Sequence, residues 1–432
     1  MMKLQFGLTQ EFTNTQYAPL AALLAYYEAE KALEPLQTVT SAAQNGDFSL
    51  AEKLEQALIS ILAGCEYISA VNTKLRPERK LAQLKRITCF ADQSTLSRGL
   101  DDLTQMNLTQ LEAAVRQVSD RCSQTRHHDW RAFLELDFDL SALPCGQQAE
   151  GGQKGYASGK KNKIVRQLAR VSAVSYHETL WSDLFPGSQL TMQCLQQAVL
   201  GVESSFELAP SQRKRTLYRL DGGSGTDENL RWLLERGYHV LGKGFSGKRA
   251  KALADHVSRW DTYDDQSWLG WVNPTFDLGH TVNVVVKRHL HKGKLKHNYY
   301  LTTLSFPSKR ALMDRYNQRG GTEIEQFRAD KSGLHLSARR KRNFAAQKAL
   351  ILLTDLAHNL LADFHSRALA DSRFADWGLK RIIRDLFAVP GRLHFQSGQL
   401  KRIELLASHP YADELIICLE KYCFGRFGSN FE

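Results

Sequence analysis

The segment FLELDFDL, Phe133 to Leu140, alternates without a break. In a strand this puts Leu134, Leu136, Phe138 and Leu140 on one face and Glu135, Asp137 and Asp139 on the other. The apolar face demands a core. Neighbouring carboxylates repel and raise one another's pKa unless a divalent ion neutralises them, so convergence of this acidic face with further acids argues for Mg²⁺ or Mn²⁺.

The chain on either side of this strand has different textures. Residues 1–130 read as helical, with Ser49 and Glu52 forming a capping box ahead of Leu54, Leu58 and Leu62. The stretch ADQSTLSRGLDDL offers Asp92 and Ser94 as caps and Leu96, Leu100 and Leu103 as one apolar face, so that a short helix carrying Arg98 fits the recognition helix of a helix-turn-helix. From 131 to 259 strands alternate with helices, as in IVRQLARVSAV, TLYRL, TDENLRWLLERG and YHVLGKG, and this argues an α/β core. Residues 260–305, with their tryptophans and runs such as HTVNVVV and NYYLTTLSF, read as a β-rich insertion in that core. Long helices return over 306–368, and 369–432 reads as a helical C-terminal region.

A second acid stands in YRLDGGSGTDENL, Tyr218 to Leu230, where a strand ends in Asp221 and a glycine-rich bend leads to a helix capped by Thr226 or Asp227. The bend lacks the GxGxxG order, and its strand ends in an acid that would repel a phosphate. The later GKGFSGKR, Gly242 to Arg249, fits the glycine spacing of a phosphate loop. Arg249, however, stands where magnesium would need a serine or threonine, so a turn before a basic helix is the better reading. A carboxylate at a strand end beside small residues is open to a hard cation. A third acid comes from RYNQRGGTEIEQFRADK, in which Tyr316, Arg319 and Glu323 are spaced by three and four along one helix face, with Glu325 opposite.

As an ordered set, these blocks resemble the DDE transposases of bacterial insertion sequences. The likeness runs through LDFDLSALPCGQQAEGGQKGYASGKKN, YRLDGGSGTDENLRWLLERGYHVLGKG and YNQRGGTEIEQFRADKSG, and spans residues 90 to 365. It implies an RNase H-like catalytic core, a mixed sheet flanked by helices. It also implies Asp139, Asp221 and Glu323 as the acids that hold two Mg²⁺ (or Mn²⁺) per active site, with Asp137 a rival for the first place. Tyr316 and Arg319 match residues that hold phosphates of the element's end. The family pattern continues to a lysine about two helical turns past the third acid. Here Asp330 takes that place and Lys331 follows. Trp268 and Trp271 match insertion residues that could stack on a flipped base.

The reaction implied is cleavage at terminal inverted repeats and joining of the 3′-hydroxyl to target DNA, without a covalent protein–DNA intermediate. The resemblance also implies a homodimer in the synaptic complex. Two alternatives remain: an RNase H-like nuclease without strand transfer, and a non-catalytic DNA-binding derivative.

Composition agrees with a DNA partner. The 432 residues carry 57 Lys+Arg against 46 Asp+Glu, a net charge of +11, and the run Arg339, Arg340, Lys341 and Arg342 near the third acid could neutralise phosphates. Seven cysteines with no CxxC pair indicate neither a disulfide framework nor a zinc site. The most apolar run, ALILLTDLAHNLLADF, is broken by Asp355 and His358, so a cytoplasmic bacterial protein that meets the nucleoid is expected, with no membrane span.

Overall fold

The computed structural model describes residues 4–41, 46–157, 160–273 and 276–425, apart from the side chains of 156, 160–161, 276–277 and 320–329. The chain divides into two units, one of residues 128–144 and 151–326, the other of 1–127, 145–150 and 327–432.

The first unit is built on β1 (Leu134–Pro144), β2 (Lys160–Ala173) and β3 (Glu178–Pro186), which form an antiparallel meander. Helix α1 (Thr191–Phe206) then leads to β4 (Thr216–Leu220), which lies parallel to β1. Helix α2 (Asp227–Glu235), capped by Thr226, leads to β5 (His239–Lys243), parallel to β4. Parallel neighbours need long crossovers, and the two helices supply them. The resulting order β3-β2-β1-β4-β5 is the RNase H-like core.

Both faces of this sheet are covered. On one side Leu136, Phe138, Tyr218 and Leu220 pack with Leu195 and Val199 of α1 and Leu230 and Leu233 of α2. Helix α3 (Gly247–Ala254) follows β5. Strands β6 (Trp260–Asp264), β7 (Ser267–Trp271), β8 (Thr281–His291) and β9 (Lys294–Thr302) are antiparallel neighbours, and β9 pairs with β5. The β-rich stretch therefore prolongs the core sheet along its β5 edge. On the second side of the sheet Leu217, Leu241, Val285 and Tyr300 pack with Leu312 and Met313 of α4 (Lys309–Ser332).

In the other unit, helix Phe344–Phe364 packs against helices Leu50–Leu62 and Gln105–Cys122. It is buried on all sides, and that explains its near-continuous apolar sequence. Asp355 and His358 are buried within it, at 5% and 2% exposure. The Ser49–Glu52 capping box forms, and Leu54, Leu58 and Leu62 are buried. The division differs from the expected boundaries, because residues from 327 onward, including most of the 306–368 segment, group with the N-terminal helices. The tail also holds more than helix: strands Gly391–Gln396 and Gln399–Leu406 form a hairpin, and Gln5–Thr9 joins it in parallel. Among the described residues no helix is long and apolar enough to cross a membrane.

Candidate active site

The parallel pairing of β1 and β4 brings the first two acids side by side. Its register runs from Leu134 with Thr216 to Phe138 with Leu220, and the residues one step beyond are Asp139 and Asp221. Both are half-buried. Ser141 Oγ donates to Asp139 Oδ2 at 3.4 Å.

The bend after β4 fixes the Asp221 carboxylate. Its Oδ1 accepts from the Gly223 and Ser224 backbone N–H groups at 2.9 and 3.0 Å and from Ser224 Oγ at 2.9 Å. Such a turn aims a short acid side chain along its own chain, and among the described residues the hydrogen bonds to the carboxylate fall on Oδ1. Gly225 is needed for a separate reason: a Cβ there would stand 2.1 Å from the Lys243 carbonyl oxygen. Beside the turn is a pocket of about 310 Å³ lined by Gly222, Gly223, Lys243, Ser246 and Asn298 among others. The GKGFSGKR segment contributes to that pocket as the end of β5 and the start of α3, with Ser246 as N-cap.

Asp137, the rival first acid, is committed elsewhere. Arg219 Nε and Nη2 donate to its two oxygens, each at 2.6 Å, and both residues are buried. Burial raises the Asp137 carboxyl above its ordinary value, with Arg219 and then Arg319 acting against the rise. A carboxylate whose two oxygens are filled by one planar guanidinium is a poor metal ligand. Asp139 has no such fork among the described contacts.

Helix α4 runs along this acidic face. Arg315 Nη2 bonds Glu135 Oε1, and Arg219 Nη1 donates to the Arg315 carbonyl oxygen at 3.2 Å. One turn on, Arg319 is 6% exposed, and its Nη2 donates to the Phe138 carbonyl oxygen at 2.9 Å. Tyr316 turns its ring against Tyr300, with centroids 4.7 Å apart. Glu323 lies in the same helix, and its side chain is outside the described residues, as is that of Glu325. Among the described residues, no group of three metal-ligating side chains forms.

The other predicted residues are distributed as follows. Trp268 is half-buried, and the Arg288 guanidinium lies 5.1 Å from its ring centroid and 4.2 Å from that of Trp260. Trp271 packs against the second-side core with Tyr300 and Tyr316. In the basic run, Arg339 is 2% exposed and bonds the Leu334 and Cys65 carbonyl oxygens. Burial pushes its pKa down to about 10. Lys341 is 8% exposed and pairs with Asp101 at 2.5 Å. These two charges are thus inside the fold, not on a surface that a phosphate could reach. Arg340 and Arg342 are both exposed, and Arg342 Nε donates to the Gln148 carbonyl oxygen at 3.0 Å. Asp330, at the place of the family's lysine, is fully buried and bonded to His358 Nδ1 at 2.7 Å, and Lys331 beside it is half-buried. Arg98 is exposed on the helix Gln93–Asp101, which Asp92 caps. Eight residues, Lys85 to Asp92, separate this helix from Arg79–Leu84, a longer connection than the three or four of a helix-turn-helix.

Two arginines at the site were not singled out from the sequence. Arg219 is one. Arg170 is the other: it is 1% exposed on β2, directly opposite Asp139 in the antiparallel ladder and so on the same face. For Arg219 a signal existed, since an arginine inside the otherwise apolar TLYRL has to meet an acid when that strand is buried.

No curated protein matches the sequence. Among solved structures, a piggyBac transposase synaptic complex with hairpin DNA matches at 12% identity, covering 88% of this chain and 81% of that one, with a TM-score of 0.48. The Marinitoga piezophila Argonaute, in complex with guide RNA and target DNA, matches at 10% identity over 51% of this chain and 31% of that one, with a TM-score of 0.20. The family described as transposase DDE domain group 1 matches residues 209–422, the stretch that holds Asp221, the β-rich extension and all of α4, and on that match the chain belongs to the DDE-type transposases.

Proposed function

We propose that this transposase cuts phosphodiester bonds at the inverted repeats of a bacterial insertion sequence and joins the freed 3′-hydroxyls to target DNA, using Asp139, Asp221 and Glu323. The observation that carries the proposal is the register that sets Asp139 beside Asp221 while Asp137 is locked to Arg219. The third acid follows from the pairing of α4 with β1. Glu135 faces Arg315, and the Phe138 carbonyl faces Arg319. Glu323 comes one helical turn after Arg319 on α4, and the carbonyl that Arg319 holds belongs to the residue just before Asp139.

The donor set suits a hard divalent cation, since each strand offers a half-buried carboxylate and Asp221 is aimed by its own turn. Mg²⁺ held there, two ions per site, would polarise the phosphodiester and lower the pKa of an attacking water or 3′-hydroxyl. The protein's own part is positional. The Ser224 hydroxyl and two backbone N–H groups orient Asp221, and Arg319 ties α4 to the strand of Asp139. Exposed Arg340 and Arg98, with Trp268 on the sheet extension, are the outward-facing contacts we assign to DNA. Two element ends need two such sites, so the working assembly is at least a dimer.

The test is incubation with Mg²⁺ and a duplex carrying the inverted repeats that flank the coding sequence. End cleavage followed by joined products supports the proposal. Cleavage without joining identifies a nuclease, and binding without cleavage identifies a non-catalytic derivative.

A further inference from the structure

Beneath the acids is a charge network that the reaction chemistry does not itself require. Arg219 is 0% exposed and precedes Asp221 by two residues on β4. Its fork closes on Asp137, which precedes Asp139 by two residues on β1, and its Nη1 lies 3.7 Å from Glu135 Oε2 on the same strand. That same Nη1 donates to the Arg315 carbonyl oxygen on α4, the helix that carries Glu323. A single residue therefore links the three elements from which the proposed acids come: it belongs to β4, and its guanidinium bonds to β1 and α4.

We infer that Arg219 is a positioning residue for catalysis, one that sets β1, β4 and α4 in the arrangement the metal ligands need. The inference rests on the reading of Asp139, Asp221 and Glu323 given above. Its physical basis is the rigidity of the group. A planar fork fixes both distance and angle to Asp137, and full burial leaves the side chain no alternative partner in water. Mg²⁺ demands near-ideal octahedral geometry, so small shifts between ligand-bearing elements reduce activity well before they unfold the protein. Lysine would keep the charge but could not make the fork and the carbonyl bond together.

The experiment uses the full chain with Asp137→Leu and Arg219→Met combined, because replacing a buried ion pair by apolar groups of similar volume commonly preserves folding. Thermal unfolding, DNA affinity, kcat for end cleavage and the Mg²⁺ concentration for half-maximal rate are measured. The expected result is a wild-type-like transition and DNA affinity, a kcat lower by about 30-fold, and a higher Mg²⁺ requirement. A folded double variant with wild-type kcat and Mg²⁺ requirement overturns the inference. Should the double variant fail to fold, Arg219→Lys is read in the same way, with about a 10-fold fall in kcat expected and an unchanged kcat overturning it. Asp139→Asn and Asp221→Asn are assayed alongside. If those two cleave like wild type, the site reading itself fails; if they are inactive and the Arg219 variants are not, only the positioning role falls.

Discussion

Asp137 and Arg219 face each other across β1 and β4, two residues before Asp139 and Asp221, which stand one step beyond the last paired residues of that register. The first pair is closed, with two 2.6 Å hydrogen bonds in a buried setting. The second is an open pair of half-buried acids. One strand thus carries two aspartates on one face in different settings.

Removing Asp137 should damage the fold, whereas removing Asp139 should not. Asp137→Ala leaves Arg219 buried without its main partner and is expected to cost about 3–5 kcal/mol. Asp139→Ala, at a half-exposed position, should change stability by less than about 1 kcal/mol. Urea denaturation midpoints at constant slope measure both.

The glycines after Asp221 are not equivalent. Gly225→Ala drives a methyl to within 2.1 Å of the Lys243 carbonyl oxygen, and a clash with backbone of this kind is expected to cost about 1–3 kcal/mol. Because Gly225 N–H also bonds the Asp221 carbonyl oxygen at 3.0 Å, cleavage should fall as well. Gly222→Ala meets nothing nearer than Lys243 Cδ at 3.7 Å, so its stability should stay close to wild type. Thermal melts and cleavage rates of the two variants, compared side by side, check this.

Within the run Arg339 to Arg342 the consequences should separate by burial. Arg339→Ala strands the carbonyl groups of Leu334 and Cys65 and is expected to destabilise by about 1–3 kcal/mol or more. Arg340→Ala should leave stability within about 0.5 kcal/mol. If Arg340 contacts a phosphate, its variant should lower the slope of log affinity against log salt by about one. Fluorescence titrations with duplex DNA at several salt concentrations measure the slope.

Asp92 supplies the pH dependence. The Thr95 backbone N–H, with the Ser94 hydroxyl, holds its carboxyl down at about 2. A depressed carboxyl stabilises the folded state above its unfolded value, near 3.9, and that contribution disappears as pH falls through the folded value. The cap is worth about 1 kcal/mol. Asp92→Ala should therefore show its full deficit at pH 6, and the deficit should shrink between pH 4 and pH 2. Denaturation midpoints of the variant and wild type across this range test the sign.

Much of this was legible in the sequence because local rules and tertiary structure agree. Strict alternation over Phe133 to Leu140 gave β1 and the facing of its acids, and TLYRL is β4 to the residue. The capping signals at Ser49, Asp92 and Thr226 all form. Periodicity could not separate Asp137 from Asp139, because i and i+2 share a face. The separation depends on Arg219, which lies 82 residues from Asp137 in the chain. The inward turn of Arg339 and Lys341 was hidden for a similar reason, since Cys65 and Asp101 are distant in sequence. Nor could composition tell that the β-rich stretch would extend the core sheet, because pairing of β9 with β5 is a contact between segments that turn signals do not connect.

The most direct test is end cleavage in Mg²⁺ by Asp139→Asn, with Asp221→Asn and Glu323→Gln run in parallel on the flanking-repeat duplex. All three variants should bind the duplex like wild type and cleave it at least about 10³-fold more slowly, as expected when a group in direct contact with the reacting atoms or their metal is lost. Wild-type cleavage by Asp139→Asn or by Asp221→Asn would contradict the account.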